Sequence, residues 1–248
     1  MKAIGMIGSL CLGLALAGCS AENTSEPLGE VGQAEDNGNH FGNLPFQVES
    51  PDFADGAAQP AQFTCEGNPF ASGISPELDW TKGPKGTKSY AIVLLDTTVL
   101  AAAGFNNAYH WAIWNIPHEI HTLPAGLKGL DPSAPLVQFP DGLKGAQQVQ
   151  ARGVTRYFPP CPAWQVTLAQ RCGLSVPPRN TDQYTFTVYA LPDADITVPA
   201  HDPLVDSNYV HRLDAIFSGM ALGKAVIHTQ SDAVPSTVPF ACPPPASP

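Results

Sequence analysis

Two residues of this chain stand where they could grip a polar ligand or share a proton. Asp96 ends the apolar run Ser89-Tyr90-Ala91-Ile92-Val93-Leu94-Leu95-Asp96, and His110 opens the next, His110-Trp111-Ala112-Ile113-Trp114-Asn115-Ile116-Pro117. A carboxylate can orient an imidazole by hydrogen bonding, so the pair is expected to form the centre of a small polar pocket. The turn Tyr157-Phe158-Pro159-Pro160-Cys161-Pro162 and Tyr184, at the head of a third apolar run, add further candidates. We therefore expect Asp96, His110, Tyr157, Cys161, Pro162 and Tyr184 to bind ligand.

Other chemistries find less support. Asp96, His110 and Asp182 are acid–base groups, but no activated serine or threonine is identifiable beside them. No G-x-S-x-G and no Gly-rich phosphate loop occurs. The expectation is a binding protein, not an enzyme, with no cofactor. His118-Glu119-Ile120-His121 lacks the i, i+4 histidine pair of the zinc proteases and follows a proline, so it reads as a solvated loop. Six cysteines are present. Cys11 and Cys19 belong to the N-terminal segment. Cys65, Cys161, Cys172 and Cys242 show no C-x-x-C or C-x-x-H spacing, which favours disulfides over a metal site. We expect Cys161–Cys172, closing a local insertion, and Cys65–Cys242, pinning the Pro-rich tail.

The elements that must position these residues are mainly strands. Runs 89–96, 110–116 and 184–191 are rich in Val, Ile, Thr, Tyr and Trp, which pack well on a pleated surface. The unbroken apolar stretch 90–95 predicts a central strand covered on both faces. Phe46-Gln47-Val48-Glu49 and Ala61-Gln62-Phe63-Thr64-Cys65 alternate as strands do. Ser75–Trp80 and Ala225–His228 complete the extended segments. Trp111 and Trp114 should face opposite sides of their strand, one in the core and one as a pocket wall. One helix is predicted late in the chain. Tyr209, Val210, Leu213, Ile216, Phe217 and Met220 recur at three- and four-residue steps, with Asp206 or Ser207 as cap and Gly223 as stop.

At the N-terminus Lys2 precedes a short apolar run that ends Leu16-Ala17-Gly18-Cys19. This layout predicts a lipoprotein signal peptide over 1–18, cut before Cys19 and acylated on it. Residues 19–43 are Gly-, Asn-, Glu- and Ser-rich and read as a flexible tether. The domain is expected over 44–230, with a Pro-rich tail over 231–248. A net charge of −10 and a pI near 4.9 argue against nucleic acid. They also leave the acyl group as the membrane link. Ser20 after Cys19 points to the outer membrane where there are two.

From about Phe46 to Ile227 the chain resembles the phosphatidylethanolamine-binding protein family, in its bacterial Raf-kinase-inhibitor-like branch. Ser50-Pro51-Asp52-Phe53 with Asp55-Gly56, Phe63–Asn68 followed by Ser75–Trp80, Gly86–Ala91, His110–Pro117 and Tyr184–Leu191 match the family's blocks in order. The resemblance implies a large antiparallel sheet packed on a smaller one with a few helices, and here a C-terminal helix. It implies a cavity for a small anion or phospholipid head group, walled by residues that match Asp96, His110, Tyr157, Cys161, Pro162 and Tyr184.

Departures from the family pattern fall on that cavity. Asp96-Thr97-Thr98 lacks the second acid of Asp-x-Asp. Pro159 replaces the turn's glycine, which removes an N–H. Ala163 stands for its next proline, an insertion runs to about Thr181, and Asp182 occupies the place of a second histidine. These changes weaken the implied anion chemistry. The expected function is a lipid-anchored envelope protein holding a small anionic or polar ligand. The alternative is an inhibitor or regulator of an envelope protease, an envelope protein partner contacted through loop 163–181.

Overall fold

The longest apolar run makes the centre of the main sheet. β3 (Ser89–Asp96) lies between β4 (Tyr109–Pro117) and β7 (Asp182–Leu191), with β6 (Gln147–Gln150) and β8 (Gly223–Ser231) at the edges, so the order is β6-β4-β3-β7-β8. Every pairing is antiparallel. This computed structural model describes residues 45–68, 73–103, 108–127, 143, 145–150, 157–200 and 208–244. The expected signal peptide, tether and Cys19 lie outside the described residues, as do the caps Asp206 and Ser207. Residues Gly42–Pro248 form one compact unit. Among the described residues no helix is long and apolar enough to cross a membrane.

Alternation along β3 feeds two cores. Tyr90, Ile92 and Leu94 join Trp111, Ile113, Phe186 and Val188 on one face, where β1 (Val48–Glu49), β2 (Leu78–Trp80) and β5 (Thr122–Leu123) form a second antiparallel sheet in the order β1-β2-β5. Leu78, Trp80 and Leu123 close this core from the smaller sheet. Ala91 and Val93 join Ala112, Trp114 and Tyr189 on the other face, beneath the late helix α3 (Tyr209–Met220). Each buried aliphatic or aromatic side chain stabilises by about 1.5–3 kcal/mol. The fold is mainly β, a large antiparallel sheet packed on a smaller sheet with a C-terminal helix.

Part-buried carboxylate bonds fix α3 to the sheet. The Tyr189 hydroxyl donates to Asp214 Oδ1 (2.7 Å) and the Tyr109 hydroxyl to Oδ2 (3.2 Å). Burial, and then the Asp214 charge, pushes the Tyr109 hydroxyl up to about 12.

Several local expectations are corrected. Segment 61–65 is a 3₁₀ turn over Ala61–Phe63, not a strand. Its alternation is overridden because Cys65 is tied to the Pro159–Pro160 region: its N–H donates to Pro160 O, and its sulfur bonds Cys161. Both Trp111 and Trp114 are core residues, one on each face, and neither is a pocket wall. Two further helices appear, α1 (Thr97–Ala103) and α2 (Trp164–Cys172), the latter inside the insertion read as a loop. Gly223 opens β8 instead of stopping α3, which ends at Met220 with Ala221 as its C-cap.

Candidate functional site

His110 owes its position to a break in sheet register. Leu94 pairs with Trp111 and Leu95 with Tyr109, so His110 is the extra residue of a β-bulge. A bulge re-aims a side chain that regular pleating would send elsewhere. A second irregularity lies between Tyr90 and Ile92, near Asn115, whose φ is +57°. Its side-chain oxygen accepts from Ile196 N–H (2.8 Å), and Asn tolerates this conformation better than most residues. Together the irregularities let β4 serve both cores and still turn an imidazole toward the sheet end.

Asp96 does three things at once. It pairs with Tyr184 across β3 and β7. Its Oδ1 accepts from Val99 N–H (2.8 Å), which caps α1. The Tyr184 hydroxyl also bonds its carboxylate. Its other oxygen stands 4.0 Å from His110 Nε2, within reach of a protonated imidazole's charge but beyond hydrogen-bond length. The expected Asp96–His110 hydrogen bond is therefore replaced. His110 Nδ1 is 3.3 Å from Phe158 O, and a carbonyl only accepts, so Nδ1 is the donor. Asp96 is 1% exposed. Burial is the main reason its carboxyl is pushed up to about 6, and the Asp182 charge adds to it against the opposing Val99 bond.

The turn after β6 is held rigidly. Cys161 bonds Cys65, Ala163 N–H donates to Ala233 O (3.2 Å), and a side chain at Gly73 would strike the Pro159 ring. The disulfides are Cys65–Cys161 and Cys172–Cys242, which corrects both expected pairings. Helix α2 explains the error. Its nine residues rise about 1.5 Å each, or roughly 13 Å in all, whereas a disulfide needs Cα atoms within about 7 Å.

A cavity of about 590 Å³ opens at this end of the sheet. Asp96, His110, Cys161, Pro162 and Tyr184 line it, with Thr98, Phe158, Trp164, Asp182 and Phe240 among the other wall residues. Tyr157 does not line it. Its ring lies edge-on to Trp111 (5.5 Å), and its hydroxyl, pushed upward by burial, accepts from Gln59 Nε2 (3.0 Å). Asp182, which the sequence marked only as a departure, is 4% exposed, accepts from Asn180 Nδ2 (3.0 Å) and belongs to the wall. Helix α2 brings Trp164, and the tail brings Phe240, their rings tilted by 53° with centroids 4.7 Å apart. No signal in the sequence joined those two. Away from the cavity, His118 and Glu119 form an exposed pair (3.1 Å), and His121 turns its ring to Tyr90.

Comparison with known proteins adds the following. The sequence pattern of a family described as phosphatidylethanolamine-binding protein matches residues 49–231. YbhB, a UPF0098 protein of Escherichia coli, is 30% identical over 150 residues, 59% of this chain and 78% of YbhB. LppC of Mycobacterium tuberculosis, whose name assigns it provisionally to the lipoproteins, is 29% identical over 150 residues, 60% of this chain and 57% of LppC. The crystal structure of Escherichia coli YbcL, described as a new member of the mammalian PEBP family, superposes with a TM-score of 0.53 at 21% identity. It covers 77% of this chain and 99% of YbcL.

Proposed function

The chain belongs to the phosphatidylethanolamine-binding protein family, in its bacterial branch, and from that premise we propose that it is a lipid-anchored binding protein of the cell envelope. Its ligand is small and polar and sits in the cavity framed by Asp96, His110, Cys161, Pro162 and Tyr184. The observation that carries this reading is the meeting of residues from β3, β4, β7 and the 157–163 turn on one cavity. Tyr157 supports that wall from beneath and does not touch ligand. Binding, not turnover, is the better reading of the site. Cys161 is consumed in a disulfide, and Thr98 Oγ1 accepts from Gln183 N–H (2.8 Å). The envelope assignment draws on the lipoprotein layout around Cys19, on the two disulfides, which suit an oxidising compartment, and on the likeness to LppC.

A second reading, contact with an envelope protease through the insertion, is favoured by one feature. Beyond α2, Leu174 (47% exposed) and Val176 (50%) project into solvent from a segment anchored at Cys172 and by the Arg179 bonds to Asp232 O. One variant separates the two. His110→Ala, which takes away one wall of the cavity, should weaken small-ligand binding, measured by native mass spectrometry against a panel of phosphate, acetate, acetamide and small amines. A folded His110→Ala protein that binds the panel as the parent does would sink the cavity reading and leave the loop reading standing.

A further inference from the structure

Hydrogen-bond accounting in the cavity decides the sign of charge it favours. Most donor side chains on its wall already bond the protein. The Tyr184 hydroxyl bonds Asp96 and Asn180 Nδ2 donates to Asp182; with the Gln165 amide turned end for end, the orientation that satisfies both its ends, its nitrogen donates to Pro162 O (2.9 Å) and its oxygen accepts from Trp164 Nε1 (3.2 Å). The adjoining turn offers few amides. Pro159, Pro160 and Pro162 have none, and the Ala163 N–H is committed to Ala233 O. An anion needs such donors converging on it. Acceptors are in surplus. Asp96 and Asp182 are both buried, the Asp182 charge acts on the Asp96 carboxyl, and no Lys or Arg lines the cavity among the described residues. The rest of the wall is aromatic, with Phe158, Trp164 and Phe240 presenting rings. Ring faces and carboxylates attract cations together, the rings most strongly where water is excluded.

We propose that the cavity takes a small organic ammonium ion, its charge toward Asp96 and Asp182 and its carbon substituents against Phe158, Trp164 and Phe240. This rests on the reading of the cavity as the binding site and reverses the charge that the family resemblance implies. The side chains facing the carboxylates have consistent effects. His110 of β4 adds repulsion only when protonated, and Tyr184 of β7 is held neutral, since burial and the Asp96 charge push its hydroxyl well up.

The test is a titration of the full chain in detergent, followed through the Trp164 indole proton and by calorimetry at pH 8. Ethylammonium and tetramethylammonium chloride are the cationic probes, inorganic phosphate the anion and acetamide the neutral control. The ammonium probes should saturate and shift the Trp164 signal, while phosphate should not. Asp182→Asn, checked for folding by thermal melting, should weaken ammonium binding about tenfold and leave acetamide unchanged. Asp96→Asn is the second variant and should act in the same direction. Binding of phosphate or acetamide without ammonium binding would overturn the charge assignment and keep the cavity reading. Binding of none of the probes would overturn both. Ammonium binding untouched in both variants would remove the carboxylates from the site and overturn the assignment too.

Discussion

Asp96 shows how a buried carboxylate on a cavity wall carries a stability cost. Its carboxyl is pushed from 3.8 up to about 6, chiefly by burial. Between those two values the folded chain holds a proton that the unfolded chain has released. Its contribution is therefore most favourable below about pH 4, is lost as pH rises through about 6, and is a constant penalty above that. Asp96→Asn keeps an acceptor for the Val99 N–H and removes the charge. At pH 8 the variant should be more stable than the parent by roughly 2 kcal/mol, and at pH 4 nearly equal to it. Urea melts at both pH values measure this. A variant less stable at pH 8 would mean that the charged helix cap outweighs desolvation. At this scale the sequence was partly legible. Asp96 and Tyr184 were found because apolar runs stop and start at them. Tyr157 was misread because its spelling in the turn cannot reveal that its hydroxyl turns inward to Gln59. Asp182 was read as a loss when it is part of the wall.

Among the elements, β3, β4, β7 and β8 of the main sheet were readable because their composition and their place in the sheet agree, whereas the polar edge strand β6 (Gln147–Gln150) carries no such apolar run and was missed. β3 occupies the stretch that its apolar run marks out. Register was not readable, and the bulge that aims His110 is a property of pairing, not of either strand alone. Helix α2 was missed for a different reason. Its stop, Gly173 in the left-handed conformation (φ +64°), is a recognisable signal, but the surrounding prolines and the expected disulfide drew the segment toward a loop. α2 and the tail are bound to each other beside the cavity. Arg171 donates to Val238 O (2.7 Å) and to Phe240 O, Thr167 Oγ1 donates to Pro235 O, and Cys172–Cys242 closes the set. Replacing Cys172 and Cys242 by Ser should cost about 2–4 kcal/mol by freeing the denatured chain. It should also change Trp164 fluorescence as Phe240 loosens, both readable in one denaturant titration. The Cys65–Cys161 pair anchors the turn itself, so replacing it should abolish cavity binding as well as lower stability.

For the molecule as a whole, composition pointed to a mainly β domain, the unbroken apolar run of β3 to a strand covered on both faces, and the two-sheet architecture was implied by the family resemblance that the ordered blocks carry. The attachment expected at Cys19 is tested by fractionation. The parent should partition with membranes and take up labelled palmitate, and Cys19→Ser should lose the label; equal labelling of the two would rule out acylation at Cys19 as the link. The disulfide connectivity has a consequence at this scale. Counting from Cys65, the first cysteine joins the second and the third joins the fourth. No loop closed by one bond contains a half of the other. A chain threaded through a membrane N-terminus first could therefore be oxidised in order of emergence, each thiol joining the next to arrive, and reach its native connectivity with no bond ever made and then undone.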